Sequence, residues 1–306
     1  MIDIAIYIGR FQPFHIGHYD NCIKALARAH KLIMLIGSSG IGPLPNNPWS
    51  FDERCHMILQ AMPEAYHSRI QFLPLYDSLY DQTAWETRVK KLIDAHAPPN
   101  TTKSLVTFAK DDSSFYLDCF PEWQQMHLPM VVDDNNVCIS ATNIRAHLYE
   151  HQSVPQGLLP DAVESFVMKG LKHQTFTHLV LADKALKAKQ TNQSTQYILV
   201  LMYQDTILLE QRQAPLGYQQ WALPTWDDAE SCHEFLAKNF PKIEVQKTQS
   251  VISSMLELPC EITYVNLSQP GKQVSQYQFF SAQMVMTELL FADHRSILYD
   301  PMSLKF

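Results

Sequence analysis

Ile4-Ala5-Ile6-Tyr7-Ile8-Gly9-Arg10-Phe11-Gln12-Pro13-Phe14-His15-Ile16-Gly17-His18 passes from an unbroken apolar run into a polar turn. The run at 4–9, ending in glycine, predicts a buried parallel strand. Beyond the turn, Cys22, Ile23, Leu26 and Ala29 recur at helical spacing. Lys31-Leu32-Ile33-Met34-Leu35-Ile36-Gly37 then predicts a second buried strand. The strand–helix–strand pattern repeats more loosely, with helices near 51–62 and 83–95 and strands at 70–75, 104–108 and 130–133. Such alternation predicts an α/β chain with a Rossmann-like, doubly wound parallel sheet. Ligands of these sheets bind at the carboxyl ends of the strands, where the turn at 9–18 lies.

The chemistry of that turn points to an anion. Pro13 fixes one backbone angle, and Gly17 lets the backbone approach a ligand closely. His15 and His18 bracket the start of the helix, where unpaired N–H groups and the positive end of the helix dipole converge. Together these make a phosphate site with two adjustable donors. A second segment, Ile139-Ser140-Ala141-Thr142-Asn143-Ile144-Arg145, also follows an expected strand and opens a helix over 141–149. The hydroxyls of Ser140 and Thr142 are available near its start as caps. Arg145, one turn in, offers a planar fork suited to phosphate oxygens.

The chain has 306 residues, 46% of them apolar and 18% charged, with a net charge of −7. That length suits two globular domains. The negative balance without a basic run argues against a general nucleic-acid or membrane-surface binder. No stretch reaches the roughly 20 apolar residues of a membrane span. The six cysteines, at 22, 55, 119, 138, 232 and 260, include no C-x-x-C pair. They read as free thiols of a cytoplasmic protein, with neither zinc nor redox chemistry. The start of the chain shows no signal peptide.

Pro155, Gly157 and Pro160 break the pattern. Helices near 161–171 and 173–189 and a polar stretch at 190–196 bridge to a second region. The expected division is a nucleotide domain at 1–152, bridging helices and linker at 153–195, and an α+β domain at 196–306. The last opens with a hairpin, Tyr197–Tyr203 and Thr206–Glu210. A helix near 228–239 and strands at 262–267 and 277–282 follow.

Gly9-Arg10-Phe11-Gln12-Pro13-Phe14-His15-Ile16-Gly17-His18 closely resembles the signature of the HxGH nucleotidyltransferase superfamily, and its archaeal-type NMN adenylyltransferases in particular. The segment 139–145 resembles the phosphate clamp of the same family. Asn47-Pro48-Trp49-Ser50-Phe51-Asp52-Glu53-Arg54, Asp77 to Trp85, and Lys110 to Trp123 resemble further segments of it. The resemblance implies NMN + ATP → NAD + pyrophosphate, with Mg²⁺ carried by ATP and no metal ligands from the chain. It implies that His18 stabilises charge growing on the α-phosphate while His15 and Arg145 hold the β and γ phosphates. Gly9, Arg10, Phe11, Lys110, Ser140 and Thr142 complete the ATP side. Asp77 and Trp85 receive the nicotinamide nucleotide. One departure stands out: Asn46 occupies a place where the family often has a basic residue.

Leu208-Leu209-Glu210-Gln211-Arg212 and Gln220-Trp221-Ala222-Leu223-Pro224 resemble the opening of a Nudix fold. Thr225-Trp226 replaces its paired glycines. With Glu230 at the first glutamate, Lys238-Asn239 and Lys242-Ile243 replace the R-E and E-E pairs, whose glutamates hold the metal of a Nudix hydrolase. The expectation is a Nudix-like domain without hydrolase activity, left with a structural, oligomeric or sensing role. Whether copies form a homo-oligomer stays open. So do two rival functions: an HxGH enzyme with another acceptor (nicotinate mononucleotide, phosphopantetheine or a flavin nucleotide), and a nucleotide sensor without turnover.

Overall fold

A computed structural model describes residues 1–77, 82–107, 119–132, 136–240, 243–253, 255–269, 276–287, 290–292, 294 and 297–298. The chain divides into two compact units. The first comprises 1–39 and 49–176, the second 40–48 and 177–306.

The first unit is built on five parallel strands: β1 (Ile2–Gly9), β2 (Ala29–Ile36), β3 (Ile70–Pro74), β4 (Lys103–Thr107) and β5 (Gln124–His127). Their order is β3-β2-β1-β4-β5. β1 lies in the middle because it is apolar on both faces; Ile6 pairs with Ile33 on one side and with Leu105 on the other. Ile4, Ile6 and Ile8 share a buried cluster with Val89 and Ile93 of α3 (Gln82–Asp94). On the opposite face, Tyr7 receives a hydrogen bond from Asn21 of α1 (Ile16–Leu26). The strand order reverses between β1 and β4, so the carboxyl ends of these two strands border the crevice where such sheets bind ligands. Helices α2 (Phe51–Ala61), α4 (Ala141–His151) and α5 (Asp161–Leu171) complete this unit.

One strand differs from expectation. The edge strand is 124–127; residues 130–132 of the expected 130–133 lie beyond it, and 133 is outside the described residues. Its sequence, Gln-Gln-Met-His, buries only Met126, which suffices at a sheet edge. The apolar residues that suggested 130–133 include exposed Met130 and Val132 and are interrupted upstream by Pro129.

The second unit carries a mixed sheet of seven strands. Five lie in the order β10-β11-β6-β7-β12: Ile243–Ile252, Pro259–Leu267, Gln196–Tyr203, Thr206–Gln211 and Tyr277–Ser281. The short β8 (Trp221–Ala222) and β9 (Thr225–Trp226) pair with β7 and β6. α6 (Gln174–Thr191) leads into it, and α7 (Ala229–Asn239) covers one face through Cys232, Leu236 and Phe235. A short helix α8 (Ala282–Thr287) follows β12. β10 escaped the sequence reading because Glu-Val-Gln-Lys-Thr-Gln-Ser is too polar for a periodic signal; an edge strand needs no buried stripe. All six cysteines are free. Among the described residues, no helix is long and apolar enough to cross a membrane.

A buried polar cluster sits in this unit. Arg212 lies 3.5 Å from Glu210 and over the ring of Phe291, and His294 accepts a hydrogen bond from the Leu223 N–H. Burial lowers His294 to about 3 and raises Glu210 to about 7. The two act oppositely on stability. The depressed His294 contributes stability above its unfolded pKa near 6.5, and that contribution is lost as pH falls toward 3. The raised Glu210 contributes stability below about 4.5, and that is lost as pH rises through 7. Glu210→Gln should therefore unmask His294. Urea denaturation of that variant is expected to show about 2 kcal/mol lost between pH 6.5 and 5, at 1.36 kcal/mol per unit. A flat profile would remove His294 from the account.

Candidate active site

The turn from β1 to α1 is held from beneath. Phe11 takes a left-handed conformation (φ 54°) that folds its ring into the core, 1% exposed and against Gly9. A Cβ at residue 9 would stand 2.8 Å from that ring, so glycine is required there. Phe11 also presents its ring edge to His18 at 4.9 Å and to Tyr7 at 5.2 Å. Its side chain supports the histidines from within the core, where the sequence grouped it with the ATP contacts.

His15 and His18 stack face to face, 3.6 Å apart and 22° from parallel. His15 is the N-cap of α1, and its backbone N–H donates to His18 Nδ1 at 3.3 Å. That bond commits one ring nitrogen of His18, so the neutral ring carries its proton on Nε2, as a donor. No acidic side chain occupies the first turn of α1 to compete with an incoming anion.

Gly17 explains the tight stack. A Cβ there would sit 3.1 Å from His15 Cε1 and 3.2 Å from its Nδ1. Gly17→Ala should therefore displace the His15 ring while helix propensity favours alanine by about 1 kcal/mol. The expected result is unchanged or slightly raised thermal stability with kcat/KM down by about tenfold, a contact kept in the transition state and worth roughly 1.4 kcal/mol. Undiminished activity would show that the position of His15 is not critical.

Two arginines clamp the same turn by its backbone. Arg145 is 6% exposed and donates from Nη1 to the carbonyl of Gln12 at 2.6 Å and from Nη2 to Thr142 Oγ1 at 3.4 Å. Arg54 donates from Nη1 to the carbonyls of Arg10 (2.8 Å) and Gly37 (2.6 Å), and from Nε to that of Ser50 (3.1 Å). Gln12 brackets Trp49 in turn, donating to its carbonyl and accepting from its N–H. Arg10 itself is exposed. Ser140 is the N-cap of α4 by position, but its hydroxyl makes no capping bond.

The proposed acceptor side is divided. Asp77, just past β3, accepts from the hydroxyl and N–H of Ser38, with Arg10 and Arg54 nearby; burial raises its pKa despite these partners. Trp85 is half-buried on α3 and packs against the cluster beneath the sheet, 6.0 Å from Phe120. Lys110 lies outside the described residues.

The sequence motifs contain Arg54 and Gln12 without marking a role for either. A signal existed for Arg54. With Met57 and Ile58 it forms the buried stripe of α2, and an arginine on such a stripe must be paired.

Residues 6–147 match the cytidylyltransferase-like family model. The chain is 32% identical over 165 residues to a nicotinamide/nicotinic acid mononucleotide adenylyltransferase of Acinetobacter baylyi, covering 54% of this chain and 85% of that one. It is 27% identical over 189 residues to a nicotinamide-nucleotide adenylyltransferase of Thermococcus onnurineus, covering 60% and 94%. A crystal structure of a bifunctional NMN adenylyltransferase/ADP ribose pyrophosphatase from Francisella tularensis superposes over 99% of both chains, with a TM-score of 0.81 at 23% identity. The Francisella protein complexed with AMP and a Mn ion superposes with a TM-score of 0.79 at 22% identity. At that identity the likeness is one of fold, and it extends through the second unit, which resembles a Nudix domain.

Proposed function

The chain belongs to the nicotinamide/nicotinic acid mononucleotide adenylyltransferase family, and on that premise we propose that its first unit joins NMN to the adenylyl group of ATP. A phosphate oxygen of NMN attacks the α-phosphorus of ATP in line, the bond to the bridging oxygen breaks, and pyrophosphate leaves with the displaced electron pair. Transfer of this kind needs positioning and charge neutralisation more than covalent help. The observation that carries the reading is the His15–His18 stack at the start of α1, with His18 held as an Nε2 donor. His18 faces the charge that grows on the α-phosphate, and His15 and Arg145 hold the β and γ phosphates. Arg10, Ser140 and Thr142 assist, with Lys110 where the family pattern puts a cation. Gly9 and Phe11 shape the turn. These groups are donors, so Mg²⁺ would enter on the triphosphate and neutralise its oxygens there.

Nicotinic acid mononucleotide is the other acceptor in view. Asp77 favours NMN, because a carboxylate accepts from an amide N–H and repels a nicotinate carboxylate. Trp85 supplies a flat face for the base. The test is pyrophosphate release from ATP and Mg²⁺ with each acceptor. NMN is expected to be the better substrate; no turnover with either would overturn the reading and favour a sensor.

The second unit is a Nudix fold without its hydrolase. Asn239, at one of the expected carboxylate positions, donates to the Phe235 carbonyl. Two of the nearby acids have other employment. Asp227 pairs with Lys189 and Gln196, and Asp228 caps α7 by accepting from the Ser231 N–H. ADP-ribose with Mg²⁺ or Mn²⁺ should yield no AMP above background. Metal-dependent hydrolysis abolished by a Glu230→Gln, Glu234→Gln double substitution would restore a bifunctional enzyme.

A further inference from the structure

The link between β2 and α2 leaves the first unit and returns to it. Residues 40–48 pack with the second unit, although both flanks belong to the first. Inside the second unit this strap is fixed at every turn. Ile41 bridges to Leu290, and the Gly42 N–H donates to the Leu290 carbonyl. Gln220 donates to the carbonyl of Pro43. Leu44 is fully buried in a cluster with Leu186, Met255 and Leu256. Asn46, the neutral residue at a position where the family often has a cation, donates its amide to the Met255 carbonyl.

Both ends of the strap run into groups that hold the histidine turn. Upstream, the Gly37 carbonyl takes Arg54, Ser38 bonds to Asp77, and the Ser39 N–H donates to the Leu75 carbonyl. Downstream, Trp49 is bracketed by Gln12, whose own carbonyl takes Arg145, and Ser50 caps α2 and accepts from Arg54. A nine-residue link without such anchors would carry large conformational entropy into these flanks, as roughly nine ordered residues must otherwise be fixed by the first unit alone.

We propose that the second unit serves the transfer site through this strap: by fixing residues 40–48 it positions Gly37–Ser39 and Trp49–Arg54, the flanks of the nucleotide-binding turn. Asn46 and Gln220 are positioning residues, acting through the flanks and not on substrate. The inference rests on the adenylyltransferase reading, and it gives the second unit a role that survives loss of hydrolysis.

The test uses the full chain with Asn46→Ala and Gln220→Ala combined. Removal of two hydrogen-bond anchors should raise KM for ATP by about tenfold and leave kcat within about twofold. Amide exchange should quicken at 37–39 and 49–54 as well as at 40–48. The control is Leu236→Ala on α7, which weakens the second unit away from the strap and should move neither readout. The proposal falls if exchange quickens only within 40–48 with KM unchanged, or if Leu236→Ala reproduces both effects. If the unmodified protein turns over neither acceptor, the enzyme reading fails by itself. The exchange measurement then still decides whether the strap orders its flanks.

Discussion

His18→Ala is expected to lower kcat by about 10²–10³-fold with ATP and NMN, or roughly 2.7–4 kcal/mol, as for loss of a preorganised donor at a charged transition state. The His18 ring is held by four neighbours: it stacks on His15, lies over Phe14 at 5.8 Å and 21°, and is edged by Phe11 and Tyr7. Its Nδ1 already accepts the His15 N–H, so little reorganisation remains when charge develops beyond Nε2. Alanine removes two things at once, the Nε2 donor and the acceptor for a backbone N–H at the helix start. Asparagine separates them. An Asn side chain at 18 can still accept from the His15 N–H but offers no donor at the Nε2 position. His18→Asn should therefore keep most of the stability that His18→Ala loses, about 0.5–1.5 kcal/mol, while losing comparable activity. Steady-state kinetics and thermal melts on the pair decide it. A loss under about fivefold in both would move His18 out of the reaction and leave it as a helix cap.

Much of this architecture was legible because local and tertiary demands agree. β1 and β2 are apolar at every position of their buried cores, and α1 begins at a glycine set between two histidines. The hairpin of β6 and β7 showed for the same reason: two apolar runs flank Gln204-Asp205, and Gln204 takes the left-handed turn conformation. Two of the edge strands were harder. β5 and β10 each satisfy one neighbour and face water elsewhere, so their sequences carry no periodic signal. The strap was invisible for another reason. Gly40-Ile41-Gly42-Pro43-Leu44-Pro45-Asn46-Asn47-Pro48 reads as a loop and is one; nothing local says which core receives Ile41 and Leu44. At the site, the histidines and Arg145 stood out through their pattern, whereas Gln12 and Arg54 act on backbone carbonyls. A bond to a carbonyl leaves no partner residue type to look for.

Arg54 is where that silence matters most. It is among the largest side chains fully inside the protein, 1% exposed, and its guanidinium meets three carbonyls from the end of β1, the end of β2 and the start of α2. Burial lowers its pKa to about 10, with Cys55 and Asp77 opposing that shift, so it remains charged at neutral pH. The charge is not its main qualification. A planar fork donates along fixed, divergent directions, whereas a lysine ammonium is a compact point charge on a flexible stem. Arg54→Lys should therefore keep the charge and lose the geometry, with the fold retained and kcat/KM down by at least about tenfold as Arg10 and Gly37 lose their common anchor. Arg54→Met fills similar space and supplies no side-chain donor, leaving the Arg10 and Gly37 carbonyls unpaired while the Ser50 carbonyl keeps the backbone N–H of residue 54. At about 1–3 kcal/mol for each of these two buried acceptors, partly relieved by water, the expected loss is about 2–4 kcal/mol. Urea denaturation measures that loss, and kinetics on the lysine variant measures the other. If methionine costs under about 1 kcal/mol and lysine is fully active, the Arg10 and Gly37 carbonyls are satisfied some other way and Arg54 holds nothing together.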